Sequence, residues 1–220
     1  MVCGDHGWVD IHTEPSPNAL LAREGLLVPA DGGSDGVASW SAIARSNGGS
    51  AFVYAQSEWD AVRARGVLAA AASRTRAFRV VAARALLDLG ADPDAWFGLE
   101  AEPGFAFGDS ARAELLRPAA IRGAGGYLPT RAAMNAGFVA WGRGLRSGIR
   151  VPRMRLTDVA PTVARLGHRR VNPCVYLSPM AQPASASPAT NNRNHAMVAI
   201  LSLGVRFVRP RALLRRASCA

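Results

Sequence analysis

The sequence predicts a layered α/β fold, and three observations lead to that prediction. Segments with the β-branched and aromatic content of strands alternate with alanine- and leucine-rich segments of helical character. The chain has 220 residues, which is enough for one domain with a hydrophobic core. Hydrophobic residues make up 49% of the chain and charged residues 19%, so a wholly disordered chain is excluded.

Spacing, composition and turn residues define the amino-terminal elements. Residues 18–27 carry apolar side chains at helical spacing, and Gly25 predicts that this short helix ends there. A loop rich in Gly and Asp follows at residues 31–36. Residues 50–56 then predict a strand, because of the β-branched and aromatic side chains at their centre. Residues 58–72 are rich in Ala, Arg and Leu, which favours a helix.

The same alternation continues in the middle of the chain. Residues 78–81 predict a strand that leads into a helix over residues 82–89, and Gly90 ends that helix. Residues 96–107 have alternating apolar positions around Pro103-Gly104, which indicates a bent strand or a hairpin.

Two further elements precede a change in composition. Residues 136–141 have the apolar content of a buried strand, and a glycine-containing turn follows at residues 142–144. We expect Asp158 to cap a helix over residues 159–166. Pro161 lies in the first turn of that helix, where a missing N–H costs nothing.

The carboxyl-terminal quarter of the chain is basic and differs in character. Residues 1–167 carry 18 arginines against 16 acidic residues, whereas residues 168–220 carry 8 arginines and no acid. We therefore interpret residues 1–167 as the folded domain and residues 168–220 as a disordered basic tail. Codons of a GC-rich gene translate to Arg, Ala and Pro when they are shifted, so a shifted reading frame is our preferred origin of the tail.

The composition excludes several classes of protein. All 26 basic residues are arginine, and a Walker-type phosphate loop, a Schiff-base enzyme and a Ser-Lys hydrolase each need a lysine. Cys3, Cys174 and Cys219 form no C-x-x-C pair, so neither a zinc ribbon nor a disulfide framework is indicated. The longest apolar run, residues 196–205, is too short to span a bilayer. With no secretory signal at its start, the chain as translated is expected in the cytoplasm, although a full-length parent could be exported.

Asp5 and His6, followed by Gly7, are the motif with the character of a metal site. A carboxylate and an imidazole both bind zinc-type ions, and a glycine lets the backbone bend close to an ion. The alternative is a solvated pair of side chains. His12 is a weaker candidate ligand, and its alternative is a histidine that forms an ordinary hydrogen bond. Residues 123–126 lack the flanking elements of a dinucleotide-binding motif, which favours a tight turn.

The order of motifs along the chain resembles a known family. Asp5-His6-Gly7 is followed by Gly125-Gly126-Tyr127-Leu128-Pro129, then by the segment AGFVAWGRG, and then by Asp158-Val159-Ala160-Pro161-Thr162. This order resembles the carboxyl-terminal part of the type I phosphodiesterase/nucleotide pyrophosphatase family of the alkaline phosphatase superfamily. Members of that family carry motifs that look like D-H-G, H-G-Y-x-P and D-V-A-P-T, in the same order along the chain. The resemblance covers residues 3–167 and implies a partial alkaline-phosphatase-like layered fold with a mixed sheet and helices.

The resemblance also implies a site for two metal ions, of which this chain has one part. Enzymes of the family clamp a phosphate between two zinc-type ions and use a Thr or Ser hydroxyl as the nucleophile. By resemblance, Asp5 and His6 are ligands of one ion. A histidine of H-G-Y would bind the other ion, and Gly125 stands in its place. The nucleophile and the remaining ligands precede D-H-G in the family, so no catalytic residue is assigned in this chain.

Two functions remain open from the sequence. The first is a metal-dependent phosphodiester or pyrophosphate hydrolase of this family, truncated and inactive, with a phosphoester or nucleotide substrate and a zinc-type ion weakly bound or absent. The second is a non-catalytic remnant, or a small binding protein whose Arg-rich tail contacts nucleic acid or acidic surfaces. No recognisable nucleic-acid module accompanies the arginines, so specific nucleic-acid recognition is not expected. We also expect Asp5 to follow the stub of a core strand, and Gly125→His to help activity only with the amino-terminal half supplied.

Overall fold

The computed structural model describes residues 1–32, 36–142, 145–166 and 202–203, and it has the layered α/β architecture that the sequence predicts. The helices are α1 (Pro17–Arg23), α2 (Glu58–Thr75), α3 (Ala83–Asp88) and α4 (Val159–Leu166), with short 3-10 helices at Ala132–Met134 and Leu156–Asp158. The strands are β1 (Val2–Cys3), β2 (Val9–Pro15), β3 (Leu27–Pro29), β4 (Val37–Trp40), β5 (Ala42–Ser46), β6 (Ser50–Ala55), β7 (Phe78–Ala82), β8 (Phe97–Ala101), β9 (Gly104–Phe105), β10 (Leu116–Pro118), β11 (Gly123–Ala124), β12 (Phe138–Val139), β13 (Arg153–Met154) and β14 (Ser202–Leu203).

The main sheet is antiparallel and has the strand order β5-β6-β8-β7. Strand β8 is buried along its whole length, with Phe97 and Leu99 each 1% exposed. Helix α2 packs against this sheet through Leu68 and a face of small residues that includes Ala64 and Ala71. Small side chains let the helix lie close to the strands, so the core between them is filled.

The bounds of α2 follow from local chemistry. The Ser57 side chain accepts a hydrogen bond from the backbone N–H of Asp60 at 3.2 Å, which satisfies a free donor of the first turn. Glu58 and Asp60 place negative charge at this positive end of the helix dipole. The helix ends at Arg76, which adopts a left-handed conformation with φ 54°.

Helix α1 is joined to the outer edge of the main sheet by Asn18, which is 2% exposed. Its amide Nδ2 donates to the carbonyl oxygen of Ala44 at 2.9 Å, and its Oδ1 accepts the N–H of Ala44 at 2.8 Å. Nδ2 also donates to the carbonyl oxygen of Asp109 at 3.1 Å. The side chain therefore pairs with edge strand β5 as a neighbouring strand would, so these buried backbone groups keep partners.

The second sheet is mixed and is built around β2. Strands β10 and β11 pair with β2 in antiparallel fashion, and β9 pairs with it in parallel fashion. Strand β2 begins two residues after Gly7, and Asp10 lies opposite Gly123. The Asp5-His6-Gly7 motif consequently lies at the amino-terminal end of β2. Strand β1, which precedes the motif, pairs with β12 in a two-stranded sheet.

Most of the predicted elements are confirmed, with small changes of length. The predicted strand at residues 50–56 is β6, the predicted helix at residues 58–72 is α2, and the predicted final helix is α4. The first helix is shorter than predicted, because the chain leaves it after Arg23 and Leu27 already belongs to β3.

Of the two alternatives predicted for residues 96–107, the structure agrees with the bent strand and not with the hairpin: the chain bends at Pro103 and crosses from the main sheet to the second sheet, so β8 and β9 have different partners. Two details of the sequence prediction are wrong. Asp158 does not cap α4. Its carboxylate turns back to the N–H of Arg155 at 3.1 Å and closes the preceding 3-10 helix. Asp5 follows β1, which is a short paired strand outside the main sheet rather than the stub of a core strand.

The predicted tail at residues 168–220 lies outside the described residues, apart from Ser202–Leu203. These two residues pair in parallel with Arg153–Met154. Within the described ranges, every helix lacks either the length or the apolar composition needed to cross a bilayer.

Candidate metal-binding site

Asp5 and His6 place two ligand atoms near each other at the surface. The backbone N–H of His6 donates to Asp5 Oδ1 at 2.9 Å, and His6 Nε2 lies 3.8 Å from Asp5 Oδ2. The Asp5 side chain is 87% exposed and the His6 side chain 40% exposed. Water and ions therefore reach both groups.

The contact made by the second ring nitrogen of His6, Nδ1, fixes the tautomer of the imidazole. Nδ1 lies 2.8 Å from the carbonyl oxygen of Gly7. Because a carbonyl oxygen only accepts hydrogen bonds, the proton of the neutral ring is assigned to Nδ1, and Nε2 keeps a free lone pair. Metal-binding histidines are oriented by the same type of bond from the nitrogen that does not bind the ion. The arrangement leaves Nε2 available beside the Asp5 carboxylate.

Backbone contacts on both sides hold the motif in place. The N–H of Gly4 donates to the carbonyl oxygen of Gly137 at 2.9 Å, and the N–H of Gly7 donates to the carbonyl oxygen of Met134 at 3.2 Å. A Cβ on Gly7 would lie 1.8 Å from the carbonyl oxygen of Ala133, so only glycine fits. The motif is thus bound to the 133–137 segment, and Gly7 is needed for that close approach.

Gly125 lies directly against the imidazole of His6. A Cβ at position 125 would be 2.5 Å from His6 Cε1 and 2.8 Å from His6 Nδ1. The two segments matched to D-H-G and H-G-Y in the sequence therefore meet in space. Any side chain at position 125 forces the His6 ring to move, and the expected effect of Gly125→His on activity stays a prediction.

Tyr127, two residues further on, anchors this segment in the core. Its hydroxyl donates to the carbonyl oxygen of Phe105, and its ring lies over Gly49, where a Cβ would be 2.1 Å away. Burial raises the pKa of Tyr127, and the nearby Arg131 partly opposes that shift. The hydroxyl consequently stays protonated and keeps its hydrogen bond at neutral pH.

The other sequence candidates do not join the Asp5–His6 pair. His12 Nδ1 lies 2.8 Å from Thr13 Oγ1, and the His12 ring packs edge-on against Phe105. Cys3 has a free thiol whose Sγ lies 3.1 Å from the carbonyl oxygen of Gly4. In the part of the chain that the structure describes, His, Cys, Asp and Glu form no group of three or more that could hold a metal ion.

Two features around the site were missed in the sequence. Trp8 is 68% exposed and its ring centroid lies 5.7 Å from that of His6. Arg131 forms an ion pair with the buried Glu100, and Arg131 begins the 131–135 segment, in which Met134 contacts Gly7. The one available sign was Glu100 itself, a carboxylate in the otherwise apolar sequence FGLEA.

The two sheets, the helices and the D-H-G segment at the start of β2 define a partial alkaline-phosphatase-like α/β fold. Human ectonucleotide pyrophosphatase/phosphodiesterase 5 has a similar structure, with a TM-score of 0.54 and 15% sequence identity. The match covers 78% of this chain and 41% of that protein's chain, so this chain spans about two fifths of it. At this level of identity the likeness establishes a common fold. The sequence matches no family model and no curated protein.

Proposed function

We propose that Asp5 and His6 form one arm of the metal centre of a phosphodiester or pyrophosphate hydrolase. The observation that supports this most directly is the bond between His6 Nδ1 and the Gly7 carbonyl oxygen, which leaves Nε2 free beside the Asp5 carboxylate. The likeness in fold to a nucleotide pyrophosphatase/phosphodiesterase supports the choice of reaction class. The substrate class we propose is a phosphoester or a nucleotide.

The donor atoms fit a zinc-type ion. Zinc binds imidazole nitrogen and carboxylate oxygen at about 2.0–2.2 Å, and the 3.8 Å between Nε2 and Oδ2 is less than twice that length. The separation therefore allows one ion to lie within bonding distance of both atoms. When bound, such an ion supplies positive charge for a phosphate oxygen. Asp5 contributes charge to the arm, His6 contributes a neutral nitrogen, and the Gly7 carbonyl holds the ring.

We further propose that the chain binds the ion weakly and does not turn over phosphoesters by itself. A catalytic zinc site usually has three protein ligands, and this arm supplies two. Both are exposed, so water competes for the ion. We assign the role of nucleophile to no described residue.

Metal binding is tested by quenching of tryptophan fluorescence with Co²⁺. An ion at His6 lies close to Trp8, whose ring centroid is 5.7 Å from that of His6. We expect saturable quenching in the wild-type chain that is lost in His6→Gln and Asp5→Asn and is strongly reduced in Trp8→Phe. His12→Gln is the matched control and retains the quenching. Unchanged quenching in His6→Gln, or equal loss in His12→Gln, would contradict the proposal.

Activity is tested with a chromogenic phosphodiester and a nucleotide pyrophosphate in the presence of zinc or manganese. We expect turnover at the background rate for the wild-type chain, for Asp5→Ala and for His6→Ala. Chelator-sensitive turnover well above background that disappears in both variants would show a working site and overturn the proposed inactivity. Turnover that persists in both variants would place the activity elsewhere and remove the role of the pair.

A further inference from the structure

We propose that Arg131 is a positioning residue for His6. Its ion pair with the buried Glu100 holds the 131–135 segment in place. That segment binds Gly7, whose carbonyl oxygen fixes the tautomer of His6. This inference deepens the proposed function and rests on it for the metal-binding readout. The tautomer itself can be measured without metal, so the two can fail separately.

Glu100 is an unusual residue for its place in the fold. It lies in the fully buried strand β8 and is 1% exposed. A buried carboxylate is costly unless charged partners surround it. Glu100 has two: Arg79 on the neighbouring strand β7 pairs with Oε2, and Arg131 Nε donates to Oε1 at 2.8 Å.

Arg131 makes several contacts at once, which fixes the direction of its side chain. Besides its bond to Glu100, it donates to the carbonyl oxygen of Ala101 at 2.8 Å and lies 3.6 Å from Glu102. Its guanidinium also lies 5.3 Å from the centre of the Tyr127 ring. Burial lowers the pKa of Arg131, but the hydrogen bonds and charges of Glu100 and Glu102 together raise it by more, so the guanidinium is charged.

Backbone hydrogen bonds connect Arg131 to the metal arm. The N–H of Met134 donates to the carbonyl oxygen of Arg131 at 3.0 Å, which closes the short 3-10 helix at Ala132–Met134. The carbonyl oxygen of Met134 then accepts the N–H of Gly7 at 3.2 Å. The carbonyl oxygen of Gly7 in turn accepts the proton of His6 Nδ1. A change at Arg131 is therefore transmitted to the acceptor that selects the tautomer.

Arg79 provides the matched control, because it pairs with the other oxygen of the same carboxylate. Its strand β7 is an edge of the main sheet and pairs, among the described residues, with β8 alone. Replacing either arginine removes one partner of Glu100, so both changes are expected to lower stability. Only the change at Arg131 releases the segment that holds Gly7.

The test compares Arg131→Met, Arg131→Lys and Arg79→Met by ¹H–¹⁵N spectroscopy of the His6 ring at a pH where it is neutral. In the wild type and in Arg79→Met we expect the proton on Nδ1. In Arg131→Met we expect a shift toward the Nε2–H form, which a free imidazole prefers, with partial recovery in Arg131→Lys. Zinc affinity should fall about tenfold in Arg131→Met and little in Arg79→Met, by analogy with the effect of losing an outer partner of a metal ligand.

An unchanged tautomer in both Arg131→Met and Arg131→Lys would overturn the positioning role. So would an equal change in Arg79→Met, because a general loss of stability would then explain the result. If Arg131→Met does not fold, Arg131→Lys decides the question by the same spectrum. A shifted tautomer together with no zinc binding in the wild type would support the positioning role and contradict the proposed metal arm.

Discussion

His6 has its chemistry set by two glycines. The carbonyl oxygen of Gly7 holds the proton of Nδ1, and the missing side chain of Gly125 leaves room for the ring. The motif D-H-G predicted two candidate ligands from residue type alone, since carboxylate and imidazole are groups that bind zinc. The orientation of the ring could not be predicted, because Gly125 lies 119 positions later in the sequence and meets His6 only after folding.

The role of Gly125 yields a direct prediction. In Gly125→Ala, the new methyl group would lie 2.5 Å from His6 Cε1, so the ring must leave its place beside Asp5. We expect the affinity for Co²⁺, measured by quenching of Trp8 fluorescence, to fall by on the order of tenfold. Gly137→Ala is the control, because a Cβ there meets no atom within 4 Å. Equal affinities in the two variants would show that the ring position does not matter.

At the scale of elements, local chemistry explains the parts that sequence reasoning predicted well. Ala, Arg and Leu give residues 58–72 a high helix propensity, and Phe52, Val53 and Tyr54 lie at the centre of β6, so both elements were recognised. At residues 96–107 the sequence could not decide between a bent strand and a hairpin. Alternating apolar residues predict extended chain but do not identify the partner strand, and β9 pairs with β2, about 90 positions earlier.

The attachment of α1 to strand β5 can be measured at the same scale. Asn18→Leu keeps the approximate size of the side chain but leaves the buried N–H and carbonyl of Ala44 without their partner. We expect the free energy of unfolding in urea to fall by about 2–3 kcal/mol. Gln56→Leu removes a hydrogen bond from an exposed side chain to Trp40, where water can replace it, and is expected to cost less than about 0.5 kcal/mol. Similar losses in both variants would contradict the role of Asn18.

Across the whole molecule, the main sheet and the segment beside the proposed metal arm are joined through the turn between β5 and β6. The N–H of Gly49 donates to the carbonyl oxygen of Gly125 at 2.8 Å, and the Ser50 hydroxyl donates to the carbonyl oxygen of Gly126 at 2.6 Å. The segment that supports His6 is therefore bound directly to the core. An exposed pair of ligands can in this way keep a defined geometry, because its supports are buried.

The order of motifs predicted the alkaline-phosphatase-like fold, and the likeness to a solved phosphodiesterase structure agrees with it. It did not predict the network behind the site, since Glu100 and Arg131 belong to none of the motifs. Their pairing depends on how β8 and the 131–135 segment pack. A pattern within one segment of the sequence carries no information on a contact between two distant segments, such as that between Glu100 and Arg131.

The central claim is that His6 binds a divalent ion through Nε2 while Nδ1 stays protonated toward Gly7. The most direct measurement is a long-range ¹H–¹⁵N spectrum of the histidine rings with and without zinc, assigned with His6→Gln and His12→Gln variants. We predict that zinc shifts the Nε2 signal of His6, leaves Nδ1 in its protonated form, and does so only while Asp5 is present. An unchanged His6 spectrum at saturating zinc, or zinc bound at Nδ1, would contradict the claim.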